Sequence, residues 1–515
     1  MSIKKLAGQT VYYGLSNIMS KLLNYFLTPL YLGVLSGATY GEYSNVYAFI
    51  PFANIVLTYG METAFFRFAK KGRESIVLST STISLFVSTI LISSVLLLLT
   101  NPIINSGEGQ MAGLAGHPTW FMYIVMIMAF DALTAIPFAQ LRLENRPIRY
   151  AIIRIVNIVT NVFSNVFFLV ICPKLYSNGW HWLPDVLGSK SLTGYIYLSN
   201  VISAGVTLLL FLPQIRRIKW EFDPKLWKEM LHYALPLIIV GMAGMVNETF
   251  DRAWFLPEFL PISDVTAKKE VIGIYSANYK LAILITMFIQ GFRLGAEPFF
   301  FKQAESGDPR KLYARVMKLF VMLLCVMFLF VALYLNIWKI FLRKPFYYEG
   351  LRIVPILLLA NMFLGIYYNL TIWFKLTDRT RTGAVITVIT AFLAFLLNYL
   401  LIPVLGYYGA ALTTMICYLI QMLICYFLGQ KYYPIPYHIP KLVTYIGLAV
   451  ITYYVYNWLN VGVLSPADRY AATPLSLAVA TLFFGVYCLF IFWMERKEFA
   501  RLPVIGKYFA PRATK

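Results

Sequence analysis

Apolar residues in this chain gather in long runs, not in strict alternation and not in short amphipathic turns. Runs such as 76–100 and 316–338 reach the roughly 20 residues that a helix needs to cross a bilayer. Lipid offers the backbone no hydrogen-bond partner, so a crossing segment must satisfy its own N–H and C=O groups, which a helix does. The two-residue period of transmembrane strands is absent. The pattern predicts an all-α polytopic membrane protein with 14 transmembrane helices, near 10–34, 43–66, 76–100, 119–141, 148–172, 193–213, 230–256, 271–298, 319–341, 351–374, 383–403, 408–429, 441–459 and 473–494. The segment 230–256 fits least well, because it carries three charges. The opening Met1-Ser2-Ile3-Lys4-Lys5 has the look of a signal-peptide start. The apolar stretch behind it runs on through Lys21 and Asn24, so it is read as a retained first helix.

Composition agrees. Of 515 residues, 59% are hydrophobic and 13% charged, with a mean hydropathy of +0.68, whereas a soluble domain carries about 25% charged residues. A net charge of +21 would suggest nucleic acid in a soluble protein, but its distribution gives another reading. With the N-terminus inside, 30 of the 44 Lys and Arg fall in segments on the cytoplasmic side, nine in outside loops and five within spans. That is the positive-inside bias of a multi-pass protein with both termini cytoplasmic, and it calls for no nucleic-acid partner. The five cysteines are scattered through apolar runs and read as small hydrophobes rather than a disulfide or zinc framework.

The chain repeats itself. Gly41-Glu42-Tyr43-Ser44-x-x-Tyr47 opens the second span, and Gly273-Ile274-Tyr275-Ser276-x-x-Tyr279 opens the eighth, 232 residues later. Arg142-Leu143-x-x-Arg146 and Lys375-Leu376-x-x-Arg379 are 233 residues apart, as are Asn165 and Asn398. The expected architecture is two six-helix lobes, 1–213 and 214–429, related by a pseudo-two-fold axis along the membrane normal, followed by two further helices and a basic tail in 430–515. Substrate would lie in the cleft between the lobes.

Polar faces show which helices line that cleft. A charge at mid-bilayer costs roughly 2.5–3.5 kcal/mol on insertion scales, so intramembrane charge should face protein or water. In span one, Thr10, Gly14, Asn17, Lys21, Asn24 and Thr28 share one helical face. Span two carries Tyr47, Pro51, Asn54, Thr58 and Glu62; span four Asp131; span five Arg154, Asn157, Asn161 and Asn165; span seven Glu248, Asp251 and Arg252; span eight Lys280, Arg293 and Glu297. Two readings stay open for several of these. The three asparagines of span five suit either the cleft or interhelical hydrogen bonds. Glu248 with Arg252, and Arg293 with Glu297, stand at i, i+4 and could neutralise each other. Lys21 and Lys280 have no acid within a turn and are the sharpest candidates for the substrate path.

Leu235-Pro236-Leu237-Ile238, Asp251-Arg252 and Gly273-x-Tyr275-x-Ala277-Asn278 resemble the central signature of bacterial polysaccharide flippases, within the multidrug, oligosaccharidyl-lipid and polysaccharide exporter superfamily. Asn398 through Ile402-Pro403, Gly406 and Gly409-Ala410-Ala411 are similar to that group's span eleven–twelve hairpin. The stretch from Pro29 through Gly41-Glu42-Tyr43 to Gly60-Met61-Glu62 and Arg67 is similar to its N-terminal region. The resemblance covers most of 1–430. It implies a transporter with a cleft lined by spans one, two, seven and eight, working by alternating access. The cargo it implies is an undecaprenyl-diphosphate-linked oligosaccharide for O-antigen, lipopolysaccharide or capsule, crossing the bacterial inner membrane. Lys21 and Lys280, with Arg293, suit the diphosphate; Asn17, Asn24, Asn54 and Arg154 complete the expected substrate-binding set. Asp131, Glu248 and Asp251 are the candidates for a coupling H+ or Na+. No cofactor or metal is expected, and membrane lipids are the other partners. The alternatives are an ion-coupled drug or metabolite antiporter of the same superfamily, and a membrane glycosyltransferase or polysaccharide polymerase. The enzyme reading is disfavoured because the chain has no DxD motif, no phosphate-cradling glycine loop and no long acidic outside loop.

Overall fold

The computed structural model describes residues 19, 22–23, 25–69, 73–100, 117–178, 192–304, 308–377, 379–464 and 470–499, without the side chains of 294, 295, 297, 298, 301, 302, 463, 464, 497 and 499. Its long elements are α1 (Tyr25–Val34), α2 (Gly37–Thr58), α3 (Met61–Phe68), α4 (Glu74–Leu98), α5 (Pro118–Leu143), α6 (Pro147–Ser177), α7 (Leu192–Ile215), α8 (Pro224–Phe259), α9 (Val265–Ala304), α10 (Arg310–Ala332), α11 (Pro345–Leu376), α12 (Thr380–Leu405), α13 (Tyr407–Tyr432), α14 (Ile439–Gly462) and α15 (Pro474–Met494). Among the described residues no strand occurs.

Twelve of these helices are long and apolar enough to cross a membrane, or 13 if α2 and α3 count as one bent span. The chain is a multi-pass membrane protein. The expected total of 14 is not reached, because the first span, near 10–34, lies mostly outside the described residues and only the ten-residue α1 represents it. The second span, expected unbroken over 43–66, instead bends by 41° after Thr58. Tyr59 and Gly60 take left-handed φ values of 33° and 71°, which end α2 before α3 begins. The ninth span, expected at 319–341, is α10 at Arg310–Ala332. The apolar stretch behind it forms short turns, among them the 3-10 segments Lys339–Leu342 and Pro345–Ile353. Leu333, Leu335 and Leu342 of those turns are buried and the Phe341 ring stacks on Tyr25 at 4.6 Å, while Ile337 and Ile340 are exposed.

The helices form two packed groups. In one, α2, α4, α5, α6 and α7 lie together; in the other, α8 to α13, with α14 and α15 set against α10. The groups meet where α2 crosses α9 and where α8 lies along α2, α3 and α4. Gly41 on α2 faces Gly273 on α9, small residues that let helix backbones approach, while a Cβ on Gly37 would meet the Phe346 ring. A Cβ on Gly41 would fall 2.8 Å from the Gly273 nitrogen, and closer still to the Lys269 carbonyl oxygen. The converse holds for Gly273, whose Cβ would lie 3.2 Å from the Gly41 nitrogen and closer to the Gly37 carbonyl. The two copies of the sequence repeat therefore touch each other. A second repeat pair behaves alike: Asn165 and Asn398 each donate to the carbonyl four residues back, Asn161 O and Ala394 O, at 2.8 Å.

Around this crossing further contacts join the groups. Lys269 pairs with Glu42 at 3.5 Å, and Lys344 donates to the Leu35 carbonyl. Asn278, whose Nδ2 bonds Tyr347 O at 2.8 Å, ties α9 to the first turns of α11. On the second group's far side, Glu495 follows α15, buried to 3% exposure. It accepts from Lys318 of α10 at 2.6 Å and from Lys441 and Tyr445 of α14 at 2.7 and 2.6 Å. Burial works to raise the Glu495 carboxyl, but these hydrogen bonds prevail and hold it at about 2.

Candidate functional site

The α9 residues Tyr279, Lys280, Ile283, Thr286, Met287 and Gln290 recur at helical spacing and so share one face. That face lines a cavity of about 280 Å³ closed by Glu248 and Arg252 of α8, Asn361 and Leu364 of α11, Tyr418 of α13 and Tyr25 of α1. Lys280 is half-buried there. Its ammonium makes no ion pair or hydrogen bond with a described residue, and the charge that acts on it is the like charge of Arg252. Glu248 also faces this cavity and forms no ion pair among the described residues. The cavity thus mixes cations, a carboxylate, amides and tyrosine rings inside an apolar bundle.

Arg252 forms no ion pair with the Glu248 carboxylate. Asp251–Phe255 forms a π-helical turn inside α8 that begins beside this pair. Arg252 instead lies 3.5 Å from the Asp251 carboxylate, donates from Nη2 to the Glu248 backbone carbonyl at 3.3 Å, and places its guanidinium over the Tyr279 ring at 4.2 Å. Asp251 is 7% exposed. It accepts from the Tyr275 hydroxyl and, at 2.8 Å, from the Arg252 amide. A π turn leaves carbonyls without their usual intrahelical partners. Here Asn45 of α2 supplies one, its Nδ2 reaching Arg252 O and Ala253 O at 2.8 and 2.9 Å. Asp251 therefore anchors α8 to α9 and stands outside the cavity lining.

In the first group, Asp131 sits at the middle of α5 with an exposed side chain. Its neighbours are Asn54 of α2, Arg154 of α6 and Tyr47. Arg154 stacks over the Phe138 ring at 4.1 Å. The asparagine ladder of α6 turns to α7 instead. Asn157 donates to Ser203 O and Thr207 Oγ1 at 3.0 and 2.8 Å, and Asn161 to Asn200 Oδ1 at 2.9 Å. Tyr31 of α1 donates to Asn165 Oδ1 at 3.0 Å. These three amides serve as interhelical fasteners. Glu62, at the start of α3, is ion-paired to Arg142.

Arg293 lies 13 residues beyond Lys280 on α9, about 20 Å along the axis. It borders a separate recess with Lys375 and Tyr368, its guanidinium 4.8 Å from the Tyr368 ring centre. Asn17, Lys21 and Asn24 fall outside the described residues, as does the side chain of Glu297. The structure brings Lys280, Glu248 and Arg252 into one cavity and groups Asn54, Asp131 and Arg154 in a second cluster. It also adds Tyr25, Tyr279, Gln290, Asn361 and Tyr418, which no charge or polar run in the sequence singled out. Only the helical register of Tyr279, Thr286 and Gln290 with Lys280 could have shown part of that lining. Among the described residues no group of three or more His, Cys, Asp or Glu could hold a metal ion.

The fold is shared with known membrane transporters. The lipid II flippase MurJ in an inward closed conformation superimposes with a TM-score of 0.64 at 13% identity, covering 94% of this chain and 99% of that one. An inward-facing multidrug resistance transporter of the MATE family, in the MOP superfamily, gives 0.60 at 13% identity over 84% and 94%. A MOP superfamily transporter from Pyrococcus furiosus, noted for the reverse polarity of its binding pocket, gives 0.59 at 13% identity over 82% and 95%. At such identity the likeness establishes the fold. No curated protein sequence matches the chain. The sequence profile described as polysaccharide biosynthesis protein matches residues 6–303, more than half of the chain, and the chain belongs to that family.

Proposed function

We propose that this protein carries an undecaprenyl-diphosphate-linked oligosaccharide from the inner to the outer leaflet of the bacterial cytoplasmic membrane, as a transporter and not as an enzyme. The observation that carries the reading is Lys280, a cation without a described partner, facing a polar cavity inside a membrane bundle. Such a charge is costly within the bilayer, and a diphosphate is a ligand that compensates it. Membership of a polysaccharide biosynthesis family and the fold shared with a lipid II flippase support the same cargo class.

In this mechanism Lys280, joined by Lys21 from the first span, pairs with the diphosphate. Arg293 meets that head earlier on its route along α9. Asn17, Asn24 and Asn54, with the tyrosines and amides of the cavity, face the sugars, while the lipid tail stays in the bilayer. The positive-inside bias puts both termini in the cytoplasm. The crossing of α2 and α9 then lies toward the outer face, while the start of α8 packs against α3 and α4 toward the cytoplasmic face, Trp227 donating to Ser84 at 2.7 Å. Alternating access follows from two homologous groups, 1–213 and 214–429, rocking about that crossing. Asp131 and Glu248 are the carboxylates offered for coupling to H+ or Na+, with Arg154 as the counter-charge beside Asp131. Asp251 is set aside because Tyr275 and Arg252 already occupy it. O-antigen and lipopolysaccharide assembly are the settings that use such a cargo.

The test is a Lys280→Ala chain, with Lys280→Arg beside it, in cells that depend on this protein for surface polysaccharide. Loss of polysaccharide in Lys280→Ala at unchanged protein level, with recovery in Lys280→Arg, is expected. Normal polysaccharide in Lys280→Ala removes the proposal. The second reading, an ion-coupled drug antiporter, draws on the unpaired Glu248 carboxylate. It predicts intact glycan in Lys280→Ala and lost drug resistance in Glu248→Gln.

A further inference from the structure

A second cavity lies at the end of the first group where α5 meets α6 and α7 ends. It holds about 230 Å³ and belongs to neither the Lys280 cavity nor the Asp131 cluster. Four cations line it, Arg146, Arg149, Arg217 and Lys219, against the single carboxylate of Glu144. Arg146 is paired with Glu144 at 3.0 Å. Among the described residues the other three cations form no ion pair, so the cavity keeps an unbalanced positive charge.

Its floor is ordered by amides. Gln140 donates to Glu144 at 2.6 Å and accepts from Gln214, which fixes both amide orientations. Gln214 is only 9% exposed, and its Oε1 is buried with no hydrogen-bond partner. An unmet buried acceptor beside unpaired cations calls for a ligand that offers a hydroxyl next to an anionic group. Next in the chain to its lining residues stand Ile148, Trp220 and Phe222, which are 64%, 52% and 43% exposed, and an exposed Trp beside basic residues suits the membrane–water interface.

We propose that this cavity binds the headgroup of an anionic phospholipid, with the phosphate held by Arg149, Arg217 and Lys219 and a headgroup hydroxyl donating to Gln214 Oε1. Phosphatidylglycerol has this chemistry. Basic pockets between membrane helices take anionic headgroups by the same electrostatics. The site is separate from the transport path, so it stands or falls independently of the cargo.

The test uses the full chain in detergent, titrated by native mass spectrometry with phosphatidylglycerol, phosphatidylethanolamine or inorganic phosphate. Phosphatidylglycerol adducts should exceed phosphatidylethanolamine adducts. In Arg149→Gln/Arg217→Gln the affinity should fall about 25-fold, on about fivefold per cation. Lys225→Gln, a basic residue outside the cavity, should change nothing. Equal adducts of the two lipids overturn the proposal in the wild-type chain alone, whether or not the double variant folds. Unchanged phosphatidylglycerol binding in a folded double variant overturns it as well. Displacement of the lipid by equimolar inorganic phosphate assigns the cavity to a soluble anion and overturns the lipid.

Discussion

Replacing Gly41 by Ala tests whether the α2–α9 crossing sets the state of the transporter. The added methyl would stand 2.8 Å from the Gly273 nitrogen and nearer to the Lys269 carbonyl, whereas non-bonded carbon needs about 3.5 Å. Both obstacles are backbone atoms, so no side-chain rotation relieves the overlap and the helices must move apart by about 0.7 Å or more. Overpacking of this kind costs about 1–3 kcal/mol. The strain is relieved once the crossing opens, so the open population should rise about 5- to 150-fold. A cysteine at Ser276, which is fully buried in the described arrangement, reports that population. In Ser276→Cys the thiol should react slowly with a membrane-impermeant maleimide, and in Gly41→Ala/Ser276→Cys faster by the stated factor. Gly447→Ala, where a Cβ meets nothing within 4 Å, should leave the rate unchanged. An equal labelling rate with and without Gly41→Ala, in a folded chain, would refute the close crossing.

Glu495→Gln should strip Lys318 and Lys441 of their shared partner, and breaking a buried pair in this way costs about 3–5 kcal/mol. The loss should appear as a lower melting temperature in detergent, and Lys318→Met combined with Glu495→Leu should restore much of it. Because the folded carboxyl titrates at about 2, below its ordinary 4.5, this contribution is complete above pH 4.5 and fades as pH falls through about 2. Melting curves recorded from pH 7 to 3 should therefore show a Glu495-dependent drop only at the acid end. Asn157→Ala removes two interhelical hydrogen bonds. It should lower stability by about 0.6 kcal/mol per bond while surface polysaccharide persists; loss of polysaccharide at full protein level would return Asn157 to the transport path.

Most of the architecture could be read from the chain because bilayer physics writes long apolar runs, and the repeat wrote Gly41-x-Tyr43 and Gly273-x-Tyr275 twice. Why those glycines recur was not legible, since only the crossing shows Gly41 and Gly273 against each other. Helix ends were less legible where an apolar run continues past the helix into short turns, as after Ala332. The site was readable in its charges and not in its walls. Lys280 stood out because an unpaired cation in an apolar run is expensive. Tyr25, Tyr418 and Asn361 did not, since a lone tyrosine or amide in a span suits many roles. Asp251 and Arg252 contact each other, a pairing of chain neighbours that a count at i, i+4 does not anticipate.

The Glu495 knot has a mechanical corollary. By fastening α14 and α15 to α10, it gives one half of the molecule a keel that the other half lacks. Any swing of the halves must then drag unequal amounts of lipid, and the work of opening should depend on how stiff the surrounding membrane is. The two groups of helices would thus travel unequally through the bilayer.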